Sequence, residues 1–248
     1  MSLNPLELTG RAETHLVALP EHPYRDGKGL PFRVHAAVKA PFLAMCEAAA
    51  QDGIAIRLVS AFRDFEHQAS IWRAKASGQR PLYTLDGGVL DFATLSEEEL
   101  VHAILRWSAL PGTSRHHWGS DVDIIDANGL ADGYKLKLVP EEFVADGPFA
   151  RLKPWLDEHL PRFGFFHPYA EFNGGVAAEP WHISFAPVSM PALEQLSPAL
   201  IGSVVLENEL PLRDVVLRNL PQLEQTYIRN IRLPGFTVTP LDSTSIRE

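Results

Sequence analysis

Proline and glycine punctuate this chain so often, twenty and seventeen times in 248 residues, that its regular elements are expected to be short and its loops numerous. Proline removes a backbone donor, and glycine weakens helix and strand interiors alike. Strands and helices mix without regular βαβ alternation, which predicts an α+β fold: a small, mainly antiparallel sheet with flanking helices and a helical C-terminal extension. A helix is expected from near Pro41 to the Asp52-Gly53 pair. IAIRLVSAF (54–62) reads as a strand, followed by a helix capped by Asp64. Residues 78–94 read as a long loop, and Ser96 with Glu99 forms a capping box opening a helix to about Trp107. VDIID reads as a strand, 148–160 as a helix interrupted or bent at Pro154, and FGFFHPY and EPWHISF as two short strands joined by AEFNGGVAA. After residue 187 the segments MPALEQLSPALIGSVVLEN and PLRDVVLRNLPQLEQTYIRNI have helical spacing and carry no candidate site residue. The chain therefore divides into a site-bearing domain, 1–187, and a helical C-terminal appendage, 188–248, packed on the core or used for association.

Composition excludes several classes. With 46% hydrophobic and 21% charged residues the chain is an ordinary soluble globular one. A net charge of −9 argues against nonspecific nucleic-acid binding and against an anionic membrane surface. No apolar run approaches the roughly 20 residues of a membrane span. The N-terminus has no basic region followed by an apolar one, so a cytoplasmic location is expected for the chain as it stands, and a periplasmic one if the native start differs. Cys46 is the only cysteine, which rules out intrachain disulfides and cysteine-rich zinc sites; its Ala-rich helical setting predicts a buried structural thiol. Any metal site must use mainly histidine and carboxylate, as catalytic sites do.

Three segments hold residue types suited to chemistry. SRHHWGSDVDIID (114–126) places two adjacent histidines and three aspartates within thirteen residues. Adjacent histidines do not make a metal pair, because neighbouring side chains on extended backbone point apart. Asp121 and Asp123 share one strand face and Asp126 the other, so one histidine could act with Asp121 or Asp123, while Asp126 reads as a turn residue. In EPWHISF (179–185), Pro180 drives Glu179 out of the α region, so a kink is needed to bring Glu179 and His182 to one side. In SAFRDFEHQ (60–68), Arg63 lies at a strand-to-helix junction, where its two-pronged donors could hold a carboxylate or simply pair with Asp64 or Glu66.

Together the three segments resemble the zinc D-alanyl-D-alanine carboxypeptidases of the VanY type, peptidoglycan-directed metallopeptidases. Their patterns are S-G-Y-R-S-x-x-x-Q, S-x-H-x-x-G-x-A-x-D and E-P-W-H, present here in that order over roughly residues 30–187. The resemblance implies one zinc ion per chain held by His116, Asp123 and His182, with Glu179 as catalytic base. Arg63, Gln68 and Ser114 fall on positions that contact substrate or shape the pocket, and Trp181 is expected to pack between base and ligand at the substrate pocket. His117 falls on a variable position and is expected to be a pocket-wall or structural residue. Ala61-Phe62 stands for Gly-Tyr, Asp64 for the serine after the arginine, and Asp121 for a small residue, where it could add negative potential, pair with Arg115 or compete as a ligand. These departures put substrate choice in question more than the metal.

The resemblance implies a carboxypeptidase acting on D-Ala-D-Ala-ending stem or precursor peptides, with a peptide partner and no nucleic acid. The same motifs serve endopeptidases of the peptidoglycan stem and L,D-carboxypeptidases. A non-catalytic zinc-binding recognition module is the alternative from another class, and Glu179 argues against it, since a structural zinc needs no spare base. A Ser–His hydrolase using Ser60 or Ser114 is weak, because no G-x-S-x-G elbow surrounds either.

Overall fold

This computed structural model describes residues 2–239 and 241, so the last residues of the expected appendage, 240 and 242–248, lie outside it. A short helix α1 (Pro5–Leu8) precedes strands β1 (Leu16–Ala18) and β2 (Arg33–His35), which pair antiparallel. Helix α2 (Ala36–Gln51) follows at once, starting five residues before Pro41. His35 caps it, Nδ1 accepting the Ala37 N–H at 3.1 Å, and Pro41 lies inside the helix. The proline forfeits one helical hydrogen bond. The helix persists because Val38, Phe42, Met45 and Ala49, spaced by three and four, bury one face. On the same helix, burial and the neighbouring Glu47 push the Cys46 thiol up to about 12, the unreactive state expected of it.

Strand β3 (Ile56–Ser60) meets helix α3 (Phe65–Ala76) at the expected Asp64 cap, whose carboxylate accepts the His67 N–H at 2.7 Å. Within 78–94, Tyr83 and Val89 form an isolated bridge. The Ser96–Glu99 capping box opens α4 (Glu97–Leu105) as expected. Helix α5 (Leu152–His159) begins later than the sequence suggests, so Pro154 falls in its first turn, where a missing N–H is no loss.

The main sheet also holds β4 (Asp121–Asp126), β5 (Phe165–Phe166) and β6 (His182–Phe185), in the order β3–β4–β6–β5, every neighbouring pair antiparallel. Strand β4 is central and buried at all six positions despite its three aspartates. The two-residue period sends Val122 and Ile124 into a core with Phe42, Phe165 and Trp181, leaving Asp121 and Asp123 on the opposite face. Asp126, read as a turn residue in the sequence, is instead the last residue of β4, opposite Ile56, and its carboxylate caps the turn that follows, accepting the N–H groups of Ala55 and Asn128.

A second core joins α3 and α4 to the helices beyond residue 185. These are α6 (Ala186–Gln195), α7 (Pro198–Glu207), α8 (Arg213–Arg218) and α9 (Leu220–Leu223), which runs into a π-helical turn, Glu224–Ile228. Trp72, Ile104, Val204, Val216 and Leu220 are buried together there, and Trp72 Nε1 donates to the Pro211 carbonyl at 2.9 Å. Among the described residues no helix is long and apolar enough to cross a membrane.

Candidate metal centre

Three local devices bring the candidate residues together. The first is a 3-10 turn, Arg115–Trp118, ended by Gly119 at φ 64. A Cβ at Gly119 would lie 2.6 Å from the His35 backbone nitrogen, so only glycine lets the turn pass this close to β2 and lead into β4. The second is strand register: Asp123 stands directly opposite His182, and Asp121 opposite Ser184. The third is a turn over Pro180-Trp181, closed by the His182 N–H donating to the Glu179 carbonyl at 3.0 Å. This is the kink needed before Glu179 and His182 could face one side.

His116, Asp123 and His182 each offer a ligand atom, and these atoms lie within 4.8 Å of one another, all buried. His116 Nδ1–H donates to the Ala61 carbonyl at 2.9 Å, leaving Nε2 free, 3.4 Å from Asp123 Oδ2. His182 Nε2–H donates to Asp121 Oδ1 at 3.0 Å, leaving Nδ1 to face Asp123 Oδ1 at 3.1 Å and Glu179 Oε2 at 3.5 Å. Metal-binding imidazoles characteristically commit their second nitrogen to a carbonyl or carboxylate in this way. Asp123 Oδ1 is buried without a hydrogen-bond partner. Two imidazoles, one carboxylate and an orphaned carboxylate oxygen fit a divalent cation such as zinc.

Asp121 is drawn into this arrangement from behind. It is fully buried, takes the Arg115 Nε–H at 2.7 Å, and Arg115 reaches on to Ser184 Oγ at 2.6 Å. Burial opposes its charge, but Arg115 and His182 hold its carboxyl well below the usual range. It therefore pairs with Arg115, one of the roles open to it in the sequence, and orients His182. Burial pushes His116 down to about 3 and Glu179 up to about 7. For His182 burial acts downward and is outweighed by Asp121 and Asp123, which push it up to about 10.

The cluster opens into a cleft of about 250 Å³. Arg63, Ser114, Glu179 and Trp181 line it together with the three candidate ligands. Arg63 donates to Gln68 Oε1 at 2.8 Å and Ser60 Oγ at 3.2 Å; burial lowers its pKa while Asp123 and Glu179 favour its charge. Gln68 is fully buried and anchored to the Ala109 carbonyl, so it reaches the site only through Arg63. Trp181 packs on Phe143, ring centroids 5.9 Å apart. His117 is structural: Nδ1 donates to the Arg63 carbonyl at 2.6 Å and Nε2 accepts the Gly112 N–H at 3.1 Å.

Sequence reasoning missed several cleft residues. Tyr169 stands with its ring 5.1 Å from that of His182, and burial raises its phenol, which stays a donor. Tyr227 and Ile228 enter from the C-terminal π turn. Tyr169 is the last residue of the FGFFHPY strand pattern, and the other two sit in a helical pattern, so periodicity gave no sign that any of them reaches the cleft.

The family described as VanY, D-alanyl-D-alanine carboxypeptidase, matches residues 31–188. An uncharacterized protein of Haemophilus influenzae is 36% identical over 121 residues, covering 48% of this chain and 92% of the relative. A D-alanyl-D-alanine carboxypeptidase of Enterococcus faecalis is 29% identical over 150 residues, 59% of this chain and 46% of the relative. Among solved structures, a mutant of the vancomycin resistance D,D-pentapeptidase VanY from the VanB-type cassette, in complex with Zn(II), aligns with TM-score 0.45 and 22% identity over 80% of this chain and 93% of that one. Because the family match spans well over half of the chain, the protein belongs to the VanY family of D-alanyl-D-alanine carboxypeptidases.

Proposed function

We propose that the protein is a zinc-dependent carboxypeptidase that hydrolyses the terminal peptide bond of peptidoglycan stem or precursor peptides ending in D-Ala-D-Ala. The observation that carries this reading is a spare carboxylate, Glu179, 3.5 Å from His182 Nδ1 at the edge of a buried His-Asp-His cluster. His116 Nε2, Asp123 and His182 Nδ1 would hold one zinc ion. When bound, the ion supplies Lewis acidity toward the scissile carbonyl and toward water. Glu179 takes the proton of the attacking water on its carboxylate and passes it to the departing amine. Arg63, fixed by Gln68 and Ser60, offers its remaining N–H groups to the peptide's terminal carboxylate or to the oxygen that gains charge at the cleaved bond. Ser114 and Trp181 bound the pocket in which the peptide lies.

The test is hydrolysis of stem peptides ending in D-Ala-D-Ala and in a single D-Ala, followed by mass spectrometry with and without a chelator. Chelator-sensitive release of one alanine from the first peptide supports the reading, and release from the second alone makes the enzyme an L,D-carboxypeptidase. Glu179→Ala should keep its zinc and lose roughly 10²–10⁴-fold in turnover. Wild-type turnover in zinc-loaded Glu179→Ala sinks the proposed mechanism.

A further inference from the structure

One wall of the cleft comes from outside the family-matched residues 31–188. Tyr227 and Ile228 line it from the π turn, beside Leu105 of α4 and Val176 of the loop leading to Glu179. This wall is apolar, in contrast to the end that holds Arg63, Glu179 and the candidate ligands.

The wall is also held in place on three sides. The Tyr227 hydroxyl is 2.8 Å from His102 Nδ1 on α4, so the tyrosine presents ring surface to the cleft. The buried Glu224 pairs with Arg229 at 2.7 Å, and Arg229 donates to the carbonyls of Leu193 and Leu196 at the C-terminal end of α6. Against the loop before Glu179 the turn is in direct backbone contact: a Cβ on Gly175 would lie 2.1 Å from the Thr226 carbonyl oxygen. Across the same seam Asn173 Nδ2 donates to Asn230 Oδ1, and Asn230 Nδ2 donates to the Asn173 backbone carbonyl. π turns inserted in helices recur at functional sites.

We propose that this C-terminal turn is a specificity element: Tyr227 and Ile228 limit the site to peptides with alanine-sized residues at the cleaved bond. The inference rests on the peptidase reading above. A cleft of about 250 Å³ is below the roughly 300–1,000 Å³ of sites that take larger ligands. A wall anchored at three points does not retreat from extra methylene groups, and an apolar pocket discriminates by roughly 10–200-fold per methylene.

The experiment compares kcat/KM of the zinc-loaded wild type, Ile228→Ala and Ile228→Val on peptides ending in D-Ala-D-Ala, D-Ala-D-Leu and D-Leu-D-Ala. Enlarging the pocket should raise the kcat/KM of at least one leucine peptide, relative to D-Ala-D-Ala, by about 10-fold or more in Ile228→Ala. Ile228→Val should move the same ratio the same way by less, which keeps the test alive if the alanine variant fails to fold. A merely structural residue would lower all three values in parallel, and unchanged ratios in a folded variant overturn the inference. If the wild type hydrolyses none of the peptides, the function proposed above fails instead. Calorimetric binding of the same peptides then decides the inference: altered affinity ratios support it, and unaltered ratios or no binding overturn it.

Discussion

Asp121 accepts hydrogen bonds from Ser120, Arg115 and His182 at once, and it is fully buried. On the sequence it is one of two aspartates on the same strand face as a candidate ligand. Only the side-chain partners separate them: Asp121 is saturated by donors, whereas Asp123 keeps a buried oxygen without one. In the proposed zinc site Asp121 would therefore act through His182, by holding Nε2 and turning Nδ1 inward. Asp121→Asn should weaken zinc binding by about 10–100-fold, measured by competition with a chromophoric chelator. It should also cost on the order of 3 kcal/mol in urea unfolding of the metal-free protein, because Arg115 would remain buried without its counter-charge.

At the scale of elements, caps were legible and starts were less so. The Asp64 and Ser96–Glu99 caps carry side-chain signals in the sequence and form as expected. Helix α2 is capped instead by His35, which has no such signature, because the imidazole must be neutral to accept the Ala37 N–H. Burial, with His15 nearby, lowers His35 to about 4, against about 6.5 for an exposed histidine. Protonation therefore favours the unfolded chain between these values: the cap's contribution is present above pH 6.5 and is lost as pH falls toward 4. From pH 7 to pH 5 this group should cost about 2 kcal/mol of stability. His35→Asn keeps a capping acceptor without the titration. In urea unfolding at both pH values, the variant should lose about that much less than the wild type; equal losses would remove His35 from the account.

At the scale of the molecule, the site lies where two cores meet. The core under the sheet positions β4 and β6, and the core of α3, α4 and the C-terminal helices carries the opposite wall of the cleft. A cation shared by the 3-10 turn, β4 and β6 should bind the folded chain alone and stabilise all of it. At about 1,000-fold excess over its Kd, zinc should add about 4 kcal/mol. In a chain of this size that is on the order of 10 °C in Tm. Scanning calorimetry should show the rise, a chelator should reverse it, and His116→Ala should abolish it.

The sequence by itself determined the three motifs, the α+β class and the need for a kink at Pro180, because these depend on short-range sterics and on spacing within a few residues. Tertiary structure decided which ring nitrogen faces the cluster, whether Asp121 is a ligand or a brace, that Gln68 works through Arg63, and that Tyr227 and Ile228 reach the cleft. Apart from the five-residue reach between Arg63 and Gln68, these are set by partners tens of residues away, as His182 and Asp121 are 61 residues apart. Periodicity within a segment can say that a side chain is buried, but only the packed chain says against what.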